Sequence, residues 1–338
     1  MKRSLCAVVL LAAPLFAADS RTVDAVFTAT LQDLPRDARE LEIWIPVPVS
    51  TAMQSVSDLE IDSPYDWTRG RDAGFGNHYI HTRIESPNSG ELTVRVRFRV
   101  TRSAQLFARD GPENPSPREF ERNLRADRLV TISPRVRGIA DVVTRGHLTP
   151  LAQARAIYDY VLSSVVYDKT VPGWGNGDTE RACEIGAGNC TDFHSLFISL
   201  ARAKGIPARF IIGFPMPEES GGRAGGYHCW VEFWVEDLGW VAADPSEASK
   251  SRNVVLRNFL FGNLDFNRVQ FTVGRDIELG GATGEPLNYF IYPYAEADGV
   301  PAGVGTISLE YRDVTPSDVA RVPAIDARTI LPPLIGEP

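Results

Sequence analysis

The alternation of apolar and polar positions over residues 22–105 predicts β-structure. Leu92, Val94, Val96, Phe98 and Val100 alternate with Thr93, Arg95, Arg97 and Arg99. A period of two puts one face in a core and the other in water. The arginine face reads as solvated surface rather than a binding patch. Val26 to Gln32, Leu41 to Val47 and Tyr79 to Ile84 are further strands, and Pro46 and Pro48 put an edge or a strand end in the second. Together they predict a β-sandwich-like domain over residues 19–105.

A charged, Pro-containing connector, 106–133, leads to a helical period. Ser133-Pro134 and Thr149-Pro150 are N-cap and N1 pairs. The first opens a helix carrying Val136, Ile139, Ala140 and Val143 that ends before Gly146. The second opens a longer amphipathic helix marked by Ala154, Ile157, Tyr158, Val161, Leu162 and Val165. A Gly-rich stretch, Pro172 to Gly188, then delivers the chain to Cys190. Phe193, Leu196, Phe197 and Leu200 recur at helical spacing behind it. Asn189 suits the N-cap and Asp192 can complete a capping box, while Lys204, Gly205 and Pro207 end the helix.

Strands follow over Ala208 to Phe214, Tyr227 to Glu236 and Trp240 to Asp244. Alternation puts His228, Trp230, Glu232 and Trp234 on one face of the second, with Cys229, Val231 and Phe233 on the other. The third carries Trp240, Ala242 and Asp244 on one face, so two neighbouring antiparallel strands present His228 and Asp244. The loop Pro215 to Gly226 is rich in glycine and nearly free of apolar side chains. Its position beside His228 predicts a mobile flap, with Glu218 and Glu219 favouring cationic groups. Val269 to Val273, Asn288 to Tyr294 and Thr306 to Tyr311 are strand-like, and the Pro-rich end from Val322 is expected to be poorly ordered. The partition is a catalytic core over 134–300 and a partly disordered extension over 301–338.

Composition narrows the setting. The 338 residues suit about two domains. Net charge is −8, which argues against a nucleic-acid partner, since phosphate recognition wants a basic face. Residues 1–18 read as a signal peptide, with Lys2 and Arg3 before an apolar run that ends at Ala17-Ala18. Its removal takes the charge to −10 and leaves three cysteines, Cys183, Cys190 and Cys229. The expectation is an exported protein, periplasmic or extracellular, with no stable membrane insertion after cleavage. An odd cysteine count leaves one thiol unpaired. A Cys183–Cys229 disulfide, a regulatory Cys183–Cys190 bond and three reduced thiols all remain open.

Cys190, His228 and Asp244 carry the candidate chemistry. A thiol at a helix N-terminus meets unpaired N–H groups and the positive end of the dipole, both of which favour the thiolate. A thiolate can attack an acyl carbon, an imidazole can take and return the proton, and a carboxylate can fix the imidazole tautomer. His194, at i+4 from Cys190, admits a second reading in which Cys190, His194 and His228 bind a metal.

The ordered set Gly188-Asn189-Cys190, Arg202-Ala203-Lys204-Gly205-Ile206-Pro207-Ala208-Arg209, His228-Cys229-Trp230-Val231-Glu232, Gly239-Trp240 and Asp244-Pro245 resembles the transglutaminase-like superfamily. The resemblance covers residues 135–250. Trp44-Ile45-Pro46-Val47-Pro48 also resembles the β domain that precedes such cores in exported bacterial members. It implies an α+β, papain-like core with Cys190 as nucleophile, His228 as base and Asp244 as orienter, and no cofactor or metal. The Cys190 N–H would serve the oxyanion, with Trp174 or Tyr167 as the second donor. Cys229 departs from the alanine common after the histidine, and Ser246 from the threonine that often follows Asp-Pro. Trp230 and Trp174 are the candidate substrate-groove residues, with Trp234 assigned to packing. The implied activity is attack on a peptide or protein amide through a Cys190 thioester, with hydrolysis preferred to transamidation. A catalytically silent binding module of the same fold is the alternative. The substrate and the oligomeric state are left unassigned.

Overall fold

In the computed structural model, which describes residues 20–107 and 114–314, the predicted alternation builds two facing sheets. The first six strands are β1 (Ser20–Gln32), β2 (Glu40–Pro46), β3 (Gln54–Asp62), β4 (Thr68–Arg71), β5 (His78–Glu85) and β6 (Leu92–Ser103). On β6, Leu92, Val94, Val96, Phe98 and Val100 are buried, while Arg97 and Arg99 pair at the surface with Asp62 and Asp24. The wet arginine face expected from the alternation is therefore present.

Helices then take over. They are α1 (Pro117–Arg122), α2 (Pro134–Val143) and α3 (Pro150–Ser164), each begun by a Ser or Thr cap and a proline. A short parallel pair, β7 (Val166–Tyr167) and β8 (Ala187–Gly188), brackets α4 (Thr179–Ile185). It sets Tyr167 beside Gly188, one turn before the helix that matters most, α5 (Cys190–Ala203). Almost every α5 side chain is buried. Its Phe197 packs on Phe233, 5.7 Å between ring centroids.

The sheet beneath α5 is built from β9 (Ala208–Pro215), β11 (His228–Val235), β12 (Gly239–Ala243) and β13 (Arg268–Val273), in the order β12-β11-β9-β13. Between β9 and β11 lies β10 (Gly221–Arg223), and after β12 come α6 (Pro245–Ser249) and α7 (Val254–Phe259). The last strands are β14 (Tyr294–Ala297), β15 (Val300–Pro301) and β16 (Val304–Asp313). Phe27, Phe98, Phe214 and Phe271 interlock, with Phe27 and Phe271 centroids 4.9 Å apart, so the sandwich and the core sheet share one apolar interior.

Three expectations change. First, the sandwich is not confined to residues 19–105. β16 pairs with β1 along ten positions and β14 pairs with β2, so the strands after residue 293 complete both sheets. The supposed extension beyond residue 301 is thus, as far as residue 313, sheet. The apolar face of β1 explains this, because Leu309 and Tyr311 join its core. Second, Pro215 to Gly226 is no free flap. β10 pairs with β16, and the buried Arg21 guanidinium donates to the carbonyls of Met216, Pro217 and Glu219. A glycine-rich loop is held here by backbone pairing and by two side chains from distant strands, Arg21 and Tyr311, whose hydroxyl donates to the Pro217 carbonyl at 3.1 Å. Third, Asn288 to Pro293 is irregular and the strand begins at Tyr294. Phe290 still buries there, in a second cluster with Trp44, Tyr79, Ile277 and Leu279 on the other face of β2 and β5. The signal-peptide and C-terminal-tail expectations lie outside the described residues.

Candidate active site

Cys190 opens α5. Asn189 caps the helix, its side chain accepting from the Thr191 N–H at 2.9 Å, and Asp192 accepts from the Asn189 N–H at 2.9 Å. This is the capping box expected from the sequence. Asp192 does more than cap: its buried carboxylate also accepts from the backbone of Gly175 at 2.8 Å and of Gly177 at 3.2 Å. That ties the Gly-rich stretch, with Trp174 in it, to the helix tip. Gly188 is required here, since a Cβ would lie 2.1 Å from an Asp192 carboxylate oxygen. Burial pushes the Asp192 carboxyl up, against the donors from Gly175 and Asn189.

His228 and Asp244 come from neighbouring strands of the core sheet. His228 opens β11, and Asp244 follows β12 as the N-cap of α6, accepting from Glu247 N–H at 2.9 Å. His228 Nε2 lies 2.7 Å from Asp244 Oδ2, and both side chains are buried. This leaves Nδ1 as the ring nitrogen free for the thiol. Asp244 also accepts from Arg268 at 3.2 Å. Burial pushes this carboxyl up, but His228 and His194 outweigh it and hold it well below the usual range.

The electrostatics form an ion pair. Burial opposes charge on His228, yet Asp244 and Cys190 outweigh it and push the imidazole up to about 10. The Cys190 thiol is pulled well down, first by the Cys229 thiol and, against burial, by His228. The favoured state is thiolate beside imidazolium, as in enzymes that use a His-paired cysteine.

The sequence reading foresaw Cys190, His228 and Asp244, and the fold brings all three together. It did not foresee Cys229 and His194 as a pair. Cys229 lies on the α5 side of the sheet, its Sγ 3.3 Å from His194 Nδ1 and 3.9 Å from Thr191 Oγ1. His194 Nε2 lies 3.4 Å from Asp244 Oδ1, without hydrogen-bond alignment. Burial pushes the Cys229 thiol well up, and Cys190 adds to it. Cys183, Cys190 and Cys229 are all free, and with Cys229 turned toward the helix tip neither disulfide is formed. Among the described residues no group of three or more His, Cys, Asp and Glu side chains is arranged to hold a metal.

The two tryptophans separate. Trp230 is fully buried, with the guanidinium groups of Arg268 and Arg102 at 5.3 and 5.9 Å from its ring centroid, so it is no groove wall. Alternation had put it on the His228 face, but that face points into the interior at residue 230. Trp234 packs edge-on against Phe120, as expected. Trp174 is 41% exposed, with Lys169 over its ring. The aromatic surroundings of Cys190 are instead tyrosines, of which only Tyr167 was singled out from the sequence, as a candidate oxyanion donor. Tyr227 accepts from Asn189 Nδ2 at 3.0 Å and lies 5.9 and 6.0 Å from the rings of Tyr289 and Tyr292. Burial raises the Tyr167, Tyr227 and Tyr292 phenols, and the Cys190 charge adds to each. Of the others, Tyr227 had a visible signal, its place before His228.

Comparison with known proteins agrees with this geometry. Residues 137–245 match the model of the transglutaminase-like superfamily. The core is transglutaminase-like. A Haemophilus influenzae protein, itself uncharacterized, is 27% identical over 303 residues, 78% of this chain and 82% of that one. A protein-glutamine gamma-glutamyltransferase of Pseudomonas aeruginosa is 29% identical over 124 residues, 34% of this chain but only 18% of that enzyme. A proposed cysteine protease from Cytophaga hutchinsonii superposes with a TM-score of 0.63 at 15% identity, covering 88% of this chain and 92% of that structure. The fold shared with that structure, β-rich N-terminal region included, spans most of the chain, while the match to the transglutaminase-like family covers residues 137–245.

Proposed function

We propose that this transglutaminase-like protein is an exported cysteine enzyme that hydrolyses peptide or amide bonds through a Cys190 thioester. The observation that carries the reading is the 2.7 Å His228–Asp244 contact beside a thiol at the tip of α5. The Cys190 thiolate adds to the acyl carbon, and the Cys190 N–H at the helix tip faces the developing oxyanion. The C–N bond breaks as the His228 imidazolium gives its proton to the departing amine. Neutral His228 then takes a proton from the water that attacks the thioester, the C–S bond breaks, and the Cys190 thiolate and His228 imidazolium are restored as the carboxylic acid leaves and ionises in water. Asp244 keeps the ring oriented and stabilises its charged form.

Transamidation would replace that water by an amine. The similarity to the Pseudomonas aeruginosa gamma-glutamyltransferase favours it as a second reading. Export rests on residues 1–18, and no described helix is long and apolar enough to cross a membrane. The test is a peptide and amide panel incubated with purified protein, with and without a primary amine. Release of ammonia or amine with a new carboxylate supports hydrolysis, and amine incorporation supports transfer. Equal turnover by wild type and Cys190→Ala overturns the assignment.

A further inference from the structure

Five arginines are buried among the described residues: Arg21, Arg102, Arg202, Arg268 and Arg275. Four have acceptors. Arg21 pairs with Asp313, Arg202 with Asp127, Arg268 with Asp244, and Arg275 donates to Ser195 and Asn288. Arg102, 1% exposed, differs: among the described residues its Nε and Nη1 are buried without a hydrogen-bond partner. Glu232 and Asp265 act on it through their charge, but no described acid pairs with it directly, and a buried cation left so is costly for a fold to keep.

Arg102 lines a cavity of about 520 Å³ on the face of the core sheet that carries Glu232, away from α5. None of Cys190, His228 and Asp244 lines it. The volume falls within the usual range for small-molecule sites, about 300–1,000 Å³. The acids in it are already used, because Glu119 and Glu232 both pair with Arg209, at 2.7 and 2.6 Å. Arg102 and the half-buried Arg122, which lies over the Phe75 ring at 4.8 Å, leave a net positive lining. Burial, and then the neighbouring Arg268, push Arg102 down to about 10, which still leaves it cationic at neutral pH.

Two acceptors on the same lining are also unused. Gln105 spends its Nε2 on the Trp240 carbonyl at 3.3 Å and Asn123 its Nδ2 on the Glu119 carbonyl at 3.0 Å. Gln105 Oε1 and Asn123 Oδ1 are left buried with no donor. Met53 and Leu106 add apolar surface. The lining therefore wants a carboxylate, N–H donors and an apolar body in one ligand. A free amino acid offers these, but its ammonium would meet the arginines. An acylated residue, with a neutral amide N–H, avoids that repulsion.

We propose that this cavity binds the C-terminal carboxylate of a short peptide, with the carboxylate on Arg102 and amide N–H groups on Gln105 and Asn123. A planar guanidinium suits a carboxylate better than any other side chain does. The site is independent of the chemistry at Cys190, and its test does not need turnover.

The experiment is calorimetric titration of the Cys190→Ala protein with N-acetyl-Gly-Leu, its C-terminal amide, free leucine and inorganic phosphate. The acid is expected to bind at least tenfold more tightly than the other three. Arg102→Met should remove that binding without lowering the melting temperature, because it also removes an unpaired buried charge. The comparison of acid with amide needs no variant at Arg102, so it stands even if Arg102→Met fails to fold. Equal binding of acid and amide overturns the proposal, as does phosphate or leucine binding as tightly as the acid. Absence of any binding, or binding unchanged in Arg102→Met, also overturns it.

Discussion

The Sγ of Cys229 lies 3.3 Å from Nδ1 of His194, on the same side of the core sheet as Cys190. This small thiol next to the nucleophile is the first cause that lowers the Cys190 thiol, and His228 adds to it through a hydrogen bond and its charge. In Cys229→Ala the midpoint of Cys190 alkylation against pH should therefore move upward. Hydrolytic activity at neutral pH should fall much less than in Cys190→Ala, because His228 and Asp244 stay in place. An unchanged midpoint would show that Cys229 is inert packing.

Asp244 serves three neighbours, as partner of His228 and Arg268 and as cap of α6. Asp244→Ala should cost about 3–5 kcal/mol of stability, the usual cost of stranding a buried charge. Asp244→Asn can still cap, so it should fold better but lose up to about 10⁴-fold in kcat through the wrong imidazole tautomer. Chemical denaturation beside steady-state kinetics separates the two effects. Cys190→Ala should abolish turnover with the thermal transition nearly unchanged.

The pH dependence follows from His228. Its folded value of about 10 lies above the unfolded value of about 6.5. The His228 contribution to stability is therefore complete below about pH 6.5 and is lost as pH rises through about 10. Amide hydrolysis should keep its alkaline limb in that upper region, since the imidazolium is needed to protonate the departing amine. A limb near pH 7, removed by no Asp244 variant, would contradict the ion pair.

Pro215 to Gly226 was legible as a glycine-rich loop but not as a docked one. Replacing Glu218 and Glu219 with Gln should leave the preference between basic and neutral substrates unchanged. Arg21→Met strands Asp313 and frees the carbonyls of Met216 and Glu219, leaving that of Pro217 to Tyr311 alone, so hydrogen exchange should quicken across residues 216–223. A shifted charge preference in the Gln variant would restore the flap.

All three described cysteines should alkylate under denaturing, non-reducing conditions, since none is bonded. Peptide mapping of Cys183, Cys190 and Cys229 checks this directly.

Periodicity exposed the local elements well, because β6, α2, α3 and α5 each carry a regular apolar stripe and a cap. The triad residues were legible because helix tip and strand alternation place them with few degrees of freedom. What stayed hidden depends on contacts distant in sequence. Nothing local to Arg21 announces Asp313 or the 216–219 carbonyls. Trp230 shares the parity of His228, yet two buried arginines close over its ring. Tyr292 sits in an irregular stretch, where no period marks which side chains come near Cys190.

The pairing of β1 with β16 sets an order of events during synthesis. Arg21 and Asp313, joined in the finished fold, are 292 positions apart in the chain. Translation delivers β1 first and its neighbour last, with the whole Cys190 core made in between. Such long-range closure is slow, because loop entropy is lost before the contact forms. A ribosome stalled before residue 304 would leave one edge of β1 open, and that exposed edge is a template for pairing with another chain. The nascent protein must therefore wait for its final strand before its first one is safe.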